Sequence, residues 1–131
     1  MINPDDLPIR VGLGQFREIT AEQLRFIKQC GVDDFLLSTA VLPGHDSWTY
    51  EDLSWLVKQA TDAELRLMAL ENVPSCFYDH IMFGGPKREQ QLENMARTIR
   101  NMARAGIPIL GYHFNPTGVW RTSRSTPVRG G

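Results

Sequence analysis

Disulfide staples, a one-signed charge, a membrane-length apolar run and an intact nucleotide motif are all missing from this sequence. Only two cysteines, Cys30 and Cys76, occur in 131 residues. They lack CxxC spacing, so reduced thiols in a cytoplasmic protein are expected. The opening Met1-Ile2-Asn3-Pro4-Asp5-Asp6 has no basic region and no apolar run, so no secretory signal is visible. No apolar stretch nears the roughly 20 residues that cross a bilayer. The formal net charge is -1 and the pI is about 6.3, which argues against a nucleic-acid or membrane-surface partner. Gly12-Leu13-Gly14 lacks the third glycine of a dinucleotide fingerprint, and no helix opens directly behind it. Phe83-Gly84-Gly85-Pro86 reads as a turn, not a phosphate cradle. The three histidines form no HxH, HxxxH or carboxylate–histidine spacing, so no stretch makes a metal site by itself.

What is present is ordinary globular composition, with 42% apolar and 22% charged residues. Ile9 to Leu13 reads as a first strand. Thr20-Ala21-Glu22-Gln23 has capping-box spacing. Leu24, Ile27 and Cys30 follow at helical intervals, with Cys30 expected to pack, and Gly31 fits a stop. Val32 to Leu37 is a second strand. Thr49 caps a second helix whose apolar face is Leu53, Leu56, Val57 and Ala60. Leu65 to Leu70 is a third strand, and a long loop runs from Asn72 to about Lys87. A third helix carries one apolar stripe of Leu92, Met95, Ala96, Ile99, Met102 and Ala103, with Glu93 placed to pair with Arg97. Ile107 to Tyr112 is a fourth strand, and the chain is irregular from His113.

Strands that alternate with helices imply an α/β protein with parallel pairing and right-handed crossovers. The helix-to-strand junctions Cys30-Gly31-Val32 and Ala105-Gly106-Ile107 leave almost no loop. The strand-to-helix segments Ser38–Trp48, Glu71–Lys87 and the stretch from His113 are long. In a (β/α) barrel the long segments leave the carboxyl ends of the strands and build the active face. The expected fold is therefore a partial (β/α) TIM barrel, about four βα units of eight, with residues 1–131 as the N-terminal half of one barrel domain in a longer protein. A small three-layer α/β domain is the other reading.

Candidate chemistry gathers at the expected strand ends: Gln15, Ser38, Thr39, Glu71, Asn72, Tyr112, His113 and Asn115. Glu71 could bind a metal, carry a proton, accept from a sugar hydroxyl, or hold a loop by an ion pair. His113 could bind a metal or move a proton, or serve as a hydrogen-bonded structural residue. His45 and His80 are expected to be exposed, and Cys76 unreactive. Arg121 offers a planar fork for a carboxylate and Trp120 a face for a sugar, unless both belong to a solvated basic tail with Arg124 and Arg129.

Glu71-Asn72-Val73-Pro74, the helix segment from Thr98 to Ile107, Tyr112-His113-Phe114-Asn115-Pro116 and Trp120-Arg121-Thr122 resemble the N-terminal half of the mannonate dehydratases of uronic-acid catabolism. The resemblance runs over nearly the whole chain. A tryptophan-containing opening common in that family is replaced here by Gly14-Gln15-Phe16. The resemblance implies a sugar-isomerase-like barrel that dehydrates D-mannonate to 2-keto-3-deoxy-D-gluconate. It also implies a divalent manganese or iron ion held by ligands outside this stretch. Glu71, His113, Asn115, Trp120 and Arg121 are the implied substrate-facing residues, and the partner is a small sugar acid. A homo-oligomer is compatible with the sequence. A sugar or sugar-phosphate isomerase or epimerase on the same barrel, and a non-catalytic half-barrel binding module, are the competing functions.

In the intact enzyme, Arg121→Ala is expected to raise the mannonate KM or lower kcat/KM. Loss of a desolvated bidentate pair costs roughly 2–5 kcal/mol; unchanged kinetics would leave Arg121 a tail residue.

Overall fold

A computed structural model describes residues 9–113 and Asn115. Its elements run β1 (Gly12–Phe16), α1 (Ala21–Gln29), β2 (Asp34–Ser38), α2 (Tyr50–Asp62), β3 (Arg66–Glu71), a 3-10 turn (Ser75–Phe77), α3 (Asp79–Phe83), α4 (Arg88–Ala105) and β4 (Ile109–Gly111). The four strands form one sheet in the order β1-β2-β3-β4, and every pairing is parallel. No helix among the described residues is long and apolar enough to cross a membrane.

Local chemistry explains most of the boundaries. The Thr20 hydroxyl accepts from the Gln23 amide, and the Gln23 side chain accepts in return from the Thr20 amide. The Thr49 hydroxyl accepts from the Asp52 amide at the head of α2. Gly31 and Gly106 close α1 and α4 at φ 70 and 85, where a side chain would be strained. Gly14 answers a different need: a Cβ there would lie 2.6 Å from Leu36 Cγ on the neighbouring strand.

One core holds the elements together. Phe35, Leu37, Leu67 and Leu70 of the sheet bury against Ile27, Leu53, Leu56, Ala60 and Met102 of the helices. Each fully buried leucine stabilises by roughly 1.5–3 kcal/mol relative to an exposed one. At the amino end of the strands Asp34, only 5% exposed, lies between two guanidinium groups. Arg10 Nε is 3.1 Å from its carboxylate and Arg66 Nε is 2.7 Å away.

Several expectations need correction. The first strand begins at Gly12, not Ile9, because pairing starts at Gly12 opposite Asp34; Ile9 and Val11 stay exposed. Cys30 is exposed at the end of α1, since the helix turns its buried face through Ile27. The segment after β3 is not plain loop but holds the 3-10 turn and α3.

The largest correction concerns α4. Its buried residues are Gln91, Asn94, Thr98 and Met102, whereas Leu92 and Ile99 of the apolar stripe are 38% and 49% exposed. The helix lies against loop backbone, and backbone groups demand polar partners. Glu93 pairs with Arg100 at 2.7 Å, while Arg97 turns to Asn94 Oδ1 at 2.6 Å and Ser47 Oγ at 3.2 Å.

Thr98→Val should therefore destabilise the protein even though it adds hydrophobicity. It removes the acceptor for the buried Trp48 amide, a loss of about 1–3 kcal/mol. Denaturant unfolding of the two proteins measures it, and equal stability would show that the bond is immaterial.

Candidate functional site

Parallel pairing brings the carboxyl ends of all four strands to one end of the sheet. Gln15 near the end of β1 and Glu71 at the end of β3 meet there, with Gln15 Nε2 donating to Glu71 Oε2 at 2.6 Å. Glu71 also lies beside Gly111 of β4, where an added Cβ would sit 3.5 Å from its Cγ.

The chain leaves β2 and β3 in the same strained way. Thr39 and Asn72, each one residue past its strand, have φ 47 and 59. Left-handed backbone is unfavourable for a side-chain-bearing residue, above all for β-branched threonine, and persists where the surroundings enforce it. Here the enforcement is visible. The Thr39 amide donates to the Glu71 carbonyl at 2.7 Å, and the Asn72 amide donates to the Gly111 carbonyl at 2.8 Å. Asn72 Oδ1 is buried and has no hydrogen-bond partner among the described residues.

Of the residues singled out in the sequence, Glu71 and Gln15 are brought together. His113 is exposed two residues beyond β4, and its carbonyl is 3.4 Å from the Tyr78 hydroxyl, a long contact. Asn115 is partly buried. Trp120 and Arg121 lie outside the described residues. Among the described residues no three His, Cys, Asp or Glu side chains gather as a metal site.

A second polar region escaped the sequence reading. A cleft of about 310 Å³ opens between the loops after β2 and β3, lined by His45, Asp46, Cys76, Asp79, His80 and Lys87 among others. Hydrogen bonds from Gln91 and then from the His80 amide hold the Asp79 carboxyl below the usual carboxylate range. Desolvation, followed by the charges of Asp79 and Asp46, pushes the Cys76 thiol up. The signal that could have revealed the region is the spacing of Gln91, Asn94, Thr98 and Asn101, four polar side chains at helical intervals.

Parallel strands with helical returns, and polar groups collected where the strands end, define an α/β protein of the (β/α)-barrel class. The structure is similar to the crystal structure of a mannonate dehydratase from Streptococcus suis serotype 2. The TM-score is 0.70 at 26% identity, over 89% of this chain and 36% of that one. The model of the D-mannonate dehydratase (UxuA) family matches residues 11–131, and the chain belongs to that family. A mannonate dehydratase of Thermotoga maritima is 32% identical over 102 residues, 78% of this chain and 27% of that protein. One from Streptococcus suis strain 05ZYH33 is 29% identical over 110 residues, 84% of this chain and 29% of its own length. The chain thus spans under a third of these curated relatives.

The Asp79 shift fixes the sign of one pH effect. A carboxyl whose folded pKa is depressed contributes stability above its unfolded value, near 3.9, and that contribution fades as pH falls through the lower folded value. Protection of the Ile81 amide should therefore hold at neutral pH and weaken only on strong acidification. Asp79→Asn should remove that acid step. An identical acid profile in the variant would exclude Asp79 as its source.

Proposed function

We propose that this chain is the N-terminal portion of a single (β/α)-barrel hydro-lyase. Its reaction is dehydration of D-mannonate to 2-keto-3-deoxy-D-gluconate, in the cytoplasmic catabolism of hexuronates. The observation that carries this reading is the family match over residues 11–131, on a sheet whose strands are all parallel. The reaction removes a proton from the carbon beside the carboxylate while the hydroxyl on the next carbon departs as water. The resulting enol takes up a proton on the carbon that lost its hydroxyl, releases its own O–H proton and becomes the keto acid. A divalent manganese or iron ion belongs to this proposal, held by the remainder of the barrel.

The chain's own part is the substrate-facing edge. The Glu71 carboxylate, steadied by Gln15, accepts from a sugar hydroxyl. His113 and Asn115 follow β4 and supply further polar contacts at the same end of the sheet. Arg121 grips the substrate carboxylate through two parallel N–H donors. Trp120 covers the face of the carbon chain and keeps water away.

The test compares two proteins. The intact protein that contains this chain, supplied with manganese, should turn over mannonate; product is measured as the 2-keto-3-deoxy acid. The 131 residues alone should not, because about four of the eight βα units of a barrel leave the pocket open. Turnover by the short chain would overturn the half-barrel reading. An intact protein that isomerises a sugar or sugar phosphate and leaves mannonate untouched would overturn the dehydratase reading.

A further inference from the structure

The loops that follow β2 and β3 are fastened to α4 by directional polar bonds to their main chain. Gln91 is 7% exposed and uses its whole amide. Its Oε1 accepts from the Ile81 amide at 3.1 Å. Its Nε2 donates to the Cys76 carbonyl at 3.0 Å and to Asp79 Oδ1 at 2.6 Å. Two turns further along, the Thr98 hydroxyl accepts from the Trp48 amide at 3.3 Å, and Asn101 donates to the Trp48 carbonyl at 2.9 Å. Four backbone groups of two different loops are thereby held by one helix. The loops also touch each other, with the Trp48 and Phe77 rings meeting edge-on at 5.7 Å.

Apolar residues on α4 could fill this space equally well, but they could not choose a position for the loop backbone. Burying an amide is worthwhile only when each of its groups is satisfied, and then it specifies one arrangement. The arrangement specified here covers Trp48 of the one loop and Cys76, Asp79 and Ile81 of the other.

We propose that Gln91 is a positioning residue: through Cys76, Asp79 and Ile81 it sets the height of the β3–α4 segment, whose Tyr78 hydroxyl lies 3.4 Å from the His113 carbonyl after β4. In this arrangement the polar row of α4 makes the two loops one rigid wall of the strand-end site. The effect on turnover rests on the dehydratase reading; the effect on the loop does not.

Both are measured. In Gln91→Leu the Ile81 amide should exchange with solvent roughly tenfold faster while the buried Leu70 amide keeps its protection, the size expected for loss of a buried partner. Gln91→Glu keeps the acceptor for Ile81 but loses both donors. Adding Asp79→Asn lets the asparagine donate to the new carboxylate and should restore part of the loss. In the intact enzyme Gln91→Leu should raise the mannonate KM roughly tenfold with kcat within about twofold, and Asp79→Asn should lower the KM of Gln91→Glu. Should Gln91→Leu fail to fold, the Gln91→Glu and Asp79→Asn pair carries the test. Unchanged Ile81 exchange in Gln91→Leu, or no recovery in the double variant, would overturn the proposal. So would a loosened loop with unaltered mannonate kinetics. An intact protein inactive on mannonate would sink the dehydratase reading alone, and amide exchange would then decide the role of Gln91.

Discussion

Strands that all run one way cannot be joined by tight turns. Each return must cross the sheet, and a helix is the shortest stable way to do it. From that constraint the rest follows. The returns stack α2 and α4 over one face of the sheet, where Leu37, Leu53 and Leu70 are fully buried. The junctions into the strands are only three or four residues long, and each turns through one left-handed residue, Gly31, Glu64 or Gly106. The segments out of the strands are left free to carry polar groups, and they arrive together at one end of the sheet.

What stands at that end is not a set of independent loops. Glu71 is tied to Gln15 across the sheet, and the loops after β2 and β3 are tied to each other and to α4. Sites built this way keep their geometry when substrate is absent, so less ordering remains for the binding step. The chain spans under a third of the length of the relatives it matches, and the walls formed by these loops are those of that portion.

Much of the fold was legible because its signals are local. Thr20 and Thr49 cap their helices by hydrogen bonds within one turn, and the glycine stops need only their own φ. The unequal lengths of the two kinds of loop gave the polarity of the sheet, and with it Glu71 and Gln15 as strand-end residues. What escaped depends on distant partners. Ile9 looks like strand, but among the described residues the ladder begins only at Gly12 opposite Asp34. Cys30 keeps helical spacing but falls where the helix ends, away from the sheet. The face of α4 was misjudged because hydrophobicity is a rule about water, while Gln91 and Thr98 are buried by what the loops require of them. The cleft near Asp79 depends on the same unseen partners.

The carboxylate of Asp34, clasped by Arg10 and Arg66 at the foot of the sheet, carries a consequence for how the strands find their alignment. Side chains alternate across a strand, so sliding β2 past β3 by one step would turn that carboxylate toward the leucines beneath the helices. Greasy side chains tolerate such a slip, since one leucine replaces another at modest loss. A stranded ion does not, because a buried carboxylate without its partners is strongly destabilising. The trio works as a keyed joint: it fits in a single setting, and its value lies less in holding that setting than in making every neighbouring one unacceptable.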